Sequence, residues 1–178
     1  MFRKREPKKT AVSARQRPLI LPILCLLSCL LLPAAPAAAQ KFGFAVSAGL
    51  FDIGQSEKAT EAGIELRLDE VELFGLGLTP AFGLSANEDG AFWAHAGFRW
   101  DVDLGEKWVL TPNFAVSLYE EGDSKDLGHV VEFRSGLEIA RRIRHGRVGL
   151  ALYHLSNASI SDHNPGSESL ILTWSSGP

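Results

Sequence analysis

The chain has 178 residues, 46% hydrophobic and 22% charged, with a net charge of −3 that hides an uneven distribution. Seven basic residues (Arg3, Lys4, Arg5, Lys8, Lys9, Arg15 and Arg17) lie before position 18 against a single acid, Glu6. Residues 40–178 then carry 11 Lys+Arg against 20 Asp+Glu, a net of −9 with neutral histidines, which argues against nucleic acid as a partner.

The basic start is followed by an apolar run, Leu19 to Leu32, and by PAAPAAAQ, with Ala37 and Ala39 at the small-residue positions a signal peptidase needs. Residues 1–39 read as a cleaved secretory signal peptide. The apolar run is shorter than the roughly 20 residues a spanning helix needs. Cys25 and Cys29 both lie in that run, and LLSC (26–29) is a weak lipoprotein-like site because leucines continue after it. The mature chain therefore has no cysteine, and neither disulfides nor a thiol nucleophile are available to it. Its 139 residues suit one domain, 40–178.

The dominant signal in that domain is alternation with period two. Phe42, Phe44, Val46, Ala48 and Leu50 make the first run, and Ala62, Ile64, Leu66 and Leu68 the second. Leu76, Leu78, Pro80, Phe82 and Leu84 follow, then Phe92, Ala94, Ala96, Phe98 and Trp100. Trp108 to Leu118 and Val131 to Ile139 continue the pattern, which ends with Val148–Leu152 and Leu170–Trp174. Strict alternation over such lengths predicts strands rather than helices. Turn-rich stretches separate them: EDG (88–90), EEGDSKD (120–126), RHG (144–146) and DHNPG (162–166). Pro80 and Pro112 each remove a ladder donor and predict a bulge or local break.

Eight alternating strands behind a signal peptide fit a secreted soluble barrel or an outer-membrane barrel. Parity alone does not say which face is inside. The minor face carries Arg67, Arg99, Asp101, Glu132, Arg134 and Glu138, charges that a small barrel pairs internally. Trp93, Trp100, Trp108, Tyr119, Tyr153 and Trp174 fit interface girdles. The fold expected is all-β, an eight-stranded antiparallel transmembrane β-barrel. The ending WSSGP, without a terminal aromatic, counts mildly against it.

Candidate chemistry concentrates in YHLSNASISDHNPGSE, residues 153–168. His154 and Ser156 share the parity of Leu150 and Leu152, and Glu168 that of Leu170 and Leu172. All three side chains thus leave the apolar face near the ends of two strands joined by one loop. Residues i and i+2 of a strand lie roughly 6.5–7 Å apart on one side, a gap that a His ring and a Ser hydroxyl can close. A serine needs an adjacent base, and the base needs an orienting acid. The bland alternative is a polar strand end at a membrane interface, and H-x-S alone is a weak motif. His95 reads as a satisfied interior histidine, His163 as a solvated loop residue, and His129 and His145 as strand-end residues. No His, Asp and Glu grouping has zinc spacing, and Asp123 and Asp126 read as solvated loop acids, so neither metal nor cofactor is expected.

His154–Ala158 (H-x-S-N-A) with Asn164–Glu168 (N-P-G-x-E) resembles the signature of the lipid A 3-O-deacylases, the PagL family. The resemblance implies an outer-membrane serine esterase that acts on the 3-position ester of lipid A and needs no cofactor. It implies Ser156 as nucleophile, His154 as base and Glu168 as its orienting acid. It also implies oxyanion donors at the backbone near Asn157 and Ala158 and at the Asn164 side chain, with Gly166 letting the loop turn tightly. Lipid A or lipopolysaccharide and outer-membrane lipids are the partners expected, and a homodimer is left open. A non-catalytic small barrel with a structural or adhesion role, and a soluble lipid-binding barrel, are the rivals.

Overall fold

The computed structural model describes residues 42–55 and 58–176. The signal-peptide segment and both cysteines lie outside the described residues. Ten strand segments are present: β1 (Gly43–Phe51), β2 (Ala59–Arg67), β3 (Val71–Leu73), β4 (Leu76–Asn87), β5 (Phe92–Arg99), β6 (Val102–Asp103), β7 (Trp108–Glu120), β8 (Val131–Ile143), β9 (Gly146–Ser156) and β10 (Ser167–Ser176). Sequence neighbours pair antiparallel, and β1 pairs β10 to close the sheet. With β2 and β3, and likewise β5 and β6, counted as one strand each, the sheet is a closed eight-stranded antiparallel barrel.

The two prolines explain why those strands are split. Leu68 N–H donates to Pro80 O, and Trp100 N–H to Pro112 O, but neither proline has an N–H to return the bond. Opposite Pro80 the ladder also slips. Arg67 pairs Ala81 and Val71 pairs Leu78, so three residues oppose two in a bulge. Opposite Pro112 the register is kept, from Arg99 with Asn113 to Val102 with Leu110.

The polar face of each strand turns inward. Glu65 carries the centre of the interior, with its carboxylate 2.9 Å from Arg67, 3.1 Å from Arg134 and 3.3 Å from both Arg99 and His95. Glu138 lies 2.6 Å from Arg99 and accepts a bond from Thr173. Arg134 also sits over the Tyr153 ring, 4.4 Å from its centre. Above this network Phe51, Trp93, Tyr119, Leu127 and Leu155 pack as an apolar plug at one end of the barrel. A void of about 20 Å³ inside is lined by charged and hydroxyl side chains such as Glu61, Glu65, Arg134 and Thr173, too small and too polar for an acyl chain.

The alternate side chains face out. Phe44, Ile64, Phe82, Phe98, Phe114, Leu137, Leu150, Leu152 and Leu172 are all more than 40% exposed, far more apolar surface than water tolerates in one patch. The outward face is therefore the lipid face, which settles the question that parity left open. Three of the expected girdle aromatics do not belong to it. Trp93, Tyr119 and Tyr153 are buried inside, because they lie on the inward parity, while Trp100, Trp108 and Trp174 are outward or at the rim. The two ends also differ. Phe74–Gly75 and Arg144–His145 are tight turns on the side of residues 43 and 176, whereas residues 121–130 and 157–166 form longer loops at the other end, where residues 52–55 also lie. Short turns mark the periplasmic end of such barrels and longer loops the outer end.

Leu172 lies mid-strand and is 59% exposed. Leu172→Arg is expected to destabilise the barrel in lipid vesicles by about 2–4 kcal/mol, read from urea unfolding. An unchanged midpoint would mean that this face meets water.

Candidate active site

Strand β9 carries His154 and Ser156 outward as its last two lipid-facing residues, with Tyr153 and Leu155 turned inward. Glu168 on β10 pairs directly with His154 in the ladder. Its Oε1 lies 3.0 Å from His154 Nδ1, and both side chains are about half exposed (47% and 46%). An ionised carboxylate only accepts, so this pairing assigns the proton to Nδ1 and leaves the Nε2 lone pair as an acceptor. Ser156 is the next outward side chain up the strand, toward the loops. No hydrogen bond joins its Oγ to the ring in this structure. Such contacts commonly tighten only with substrate bound.

Gly166 meets the His154 ring from the side. A Cβ there would fall 2.9 Å from His154 Cε1, and its φ of +62° favours glycine. Glu168 is backed by the first long loop: Ile53 N–H donates to Glu168 O at 2.9 Å, and Gly54 lies against Oε2. The same loop is tied across the barrel end by Asp52 and Lys125, 2.9 Å apart.

The loop after Ser156 begins with a tight turn. Ile160 N–H donates to Asn157 O at 3.0 Å, and Ala158 and Ser159 both have positive φ, 52° and 63°. Two successive non-glycine residues in the left-handed region are strained, and such strain persists only where the surroundings hold it. Asn157 is the holder. Its side chain is fully buried, and its Nδ2 donates to Leu127 O and His163 O, each at 2.8 Å. Its backbone N–H donates to Asn164 Oδ1 at 3.1 Å. Both donors of Asn157 are thus spent on shaping the loop. The groups left to meet a substrate oxygen are the Ala158 N–H and the amide nitrogen of Asn164, whose oxygen faces Asn157.

The other histidines stay apart from this site. His95 is inside, with Nε2 on Glu65, and His163 is an exposed loop residue. Among the described residues no group of three His, Cys, Asp or Glu side chains gathers as a metal site. The sequence reading missed one residue beside His154. Ser135 on β8 points outward and pairs with His154. Its signal was the break it makes in Val131, Phe133, Leu137 and Ile139.

A family model described as "Lipid A 3-O-deacylase (PagL)" matches residues 70–176, which include all of His154, Ser156, Asn164 and Glu168. Among curated proteins no sequence matches. The fold is similar to that in a solved structure titled "Crystal structure of the outer membrane enzyme PagL", with a TM-score of 0.58 and 19% identity over 76% of this chain and 99% of that one. With more than half of its length matched by the family model, on a closed outer-membrane-type barrel, the chain belongs to the lipid A 3-O-deacylase (PagL) family.

Proposed function

We propose that the protein removes the ester-linked 3-hydroxyacyl chain from the 3-position of lipid A, using Ser156, His154 and Glu168, after export directed by residues 1–39. The observation that carries this reading is the His154–Glu168 pair set on the lipid face beside Ser156. That placement lets an acyl ester reach the nucleophile without leaving the membrane. The longer loops mark this end as the outer one, so the ester-bearing lipid at hand is that of the outer leaflet.

The chemistry follows from the atoms available. His154 Nε2 takes the Ser156 proton as Oγ attacks the ester carbonyl carbon. Negative charge collects on the former carbonyl oxygen, where the Ala158 N–H and the Asn164 amide can donate. The intermediate collapses by breaking the bond to the sugar oxygen, and the imidazolium protonates that oxygen as it leaves. Water, deprotonated by His154, then attacks the acyl-serine, and a 3-hydroxy fatty acid departs with Ser156 restored. Glu168 stays ionised throughout, holding the Nδ1 proton and stabilising the imidazolium.

Lipid A from cells expressing the protein should lose one hydroxyacyl group by mass spectrometry. Ser156→Ala should abolish that loss while the barrel still migrates as a folded band, and full activity in this variant would remove Ser156 from the role of nucleophile. Glu168→Ala is expected to fall less far than Ser156→Ala, because the nucleophile and base act as a unit and the orienting acid is partly dispensable. Gly166→Ala should cost roughly 10- to 100-fold in turnover by displacing the His154 ring. Wild-type rates in that variant would show that the ring has room to move.

A further inference from the structure

Arg141 is the only lysine or arginine on the outward face of a strand among the described residues. It stands on β8 between Ile139 and Ile143, which are both outward and 44% and 45% exposed. Arg141 is itself exposed, and its guanidinium has no hydrogen bond or ion pair among the described residues. A cation on a lipid face without a partner is unfavourable, so an apolar or neutral residue would serve the barrel alone better.

The cations around it fall into two sets. Those on the inward parity are satisfied within the protein: Arg142 pairs with Asp103, and Arg147 with Asp101. The others are not. Arg144 in the β8–β9 turn and Lys107 in the turn before β7 are exposed and, like Arg141, form no ion pair among the described residues. The two turns adjoin, because Arg142 N–H donates to Lys107 O at 2.8 Å. Glu106 is exposed beside Lys107 and makes no ion pair with any of the three. A domain that is acidic overall thus holds unneutralised positive charge at one corner of its turn end.

The depth of that corner is set by the ladder. Phe133, higher on the same strand, pairs with Ser156 at the loop end. At the usual strand rise and barrel tilt Arg141 lies about 20 Å below Phe133, against an apolar band of about 25 Å in such barrels. Arg141 therefore sits at the inner edge of the band, from which its long side chain reaches the phosphate level of the inner leaflet. Its row in the sheet agrees. Trp108 on β7 and Val148 on β9 pair with Arg141, and Trp174 on β10 pairs with Val148. Tryptophans favour the membrane interface. Trp174 packs edge-on against Phe44, with ring centres 5.5 Å apart, so the small Val148 leaves a low place between that indole and Arg141. Ile139 and Leu150, paired with each other, continue this place toward the membrane middle as an apolar track.

We propose that Arg141, with Arg144 and Lys107, binds the phosphate of a net-anionic phospholipid of the inner leaflet. The guanidinium fork matches a phosphodiester through two parallel hydrogen bonds, and the flexible turn cations add charge around it. The lipid's acyl chains lie over Val148, Ile139 and Leu150. Net charge decides the class of lipid. A zwitterionic headgroup brings its own ammonium into a corner that is already basic, whereas an anionic one brings only the charge that the corner lacks. The site lies at the opposite end of the barrel from Ser156 and is independent of the esterase reading.

The test uses the full barrel in detergent micelles that hold equal amounts of phosphatidylglycerol and phosphatidylethanolamine with the same acyl chains, and native mass spectrometry counts the lipids retained. Wild type should retain phosphatidylglycerol over phosphatidylethanolamine by about tenfold. Arg141→Gln should bring that ratio to about twofold, since one basic residue near a charged surface is worth about fivefold. Arg144→Gln, on the exposed turn, should lower the ratio in the same sense. Lys58→Gln removes a cation at the loop end and should leave the ratio as in wild type. Equal retention of both lipids by wild type, an unchanged ratio in Arg141→Gln and Arg144→Gln, or an equal fall in Lys58→Gln would overturn the assignment. Inorganic phosphate at the lipid's own concentration should displace nothing. Release of the bound lipid by that phosphate would show a site for the phosphate group alone and would overturn the assignment to a lipid.

Discussion

The ion cluster around Glu65 sets the orientation of every other side chain. One carboxylate gathers Arg67, Arg99, Arg134 and His95 from β2, β5 and β8, strands that do not all adjoin in the sheet. Separated buried charges of this kind are too costly to leave unpaired, and removing one partner from such a set is strongly destabilising. Pairing them across the lumen commits the polar parity to the inside. Because side chains alternate, the same commitment puts the apolar parity in contact with lipid. A one-residue slip of any strand would bury leucines against arginines and point charges into hydrocarbon. The register that carries Ser156 and His154 outward is thus fixed by contacts far below them.

The site itself divides between rigid and strained parts. His154 and Glu168 stand on paired strands, so their contact inherits the precision of the ladder. The proposed oxyanion donors stand on a loop, and that loop is held by Asn157 from inside the barrel end. The β7–β8 loop joins these parts. It receives the Asn157 amide at Leu127 and, through Lys125, the Asp52 of the loop that backs Glu168. Tyr119 adds a third tie by donating to Lys125 O from the apolar plug. The loops are thus tied to one another, and these ties touch both Glu168 and the turn at Asn157.

Much of this was legible in the sequence. Period-two alternation located all eight strands, and the parity of Leu150, Leu152 and Leu170 was enough to place His154, Ser156 and Glu168 on one face. Pro80 and Pro112 foretold the two interruptions, because a missing donor is a local property. Other features depended on partners distant in sequence. Trp93, Tyr119 and Tyr153 were read as girdle residues from composition, although their parity is the inward one. The backbone near Asn157 and Ala158 was read as an oxyanion donor; that the Asn157 side-chain amide turns inside is set by Leu127, thirty residues earlier, and had no local signal. Ser135 went unread because it is a small break in an apolar run, and only the β8–β9 register brings it beside His154.

That register gives the polar patch its meaning. Four polar side chains on a lipid face would be a liability in a barrel that only spans. Two of them, His154 and Glu168, satisfy each other, and a hydrogen bond to the carboxylate offsets part of the cost of exposure to hydrocarbon. The two serines have no such partner, and both border the same histidine. The proposed nucleophile, Ser156, is left without a hydrogen bond, and a bond that held it permanently to another residue would oppose attack.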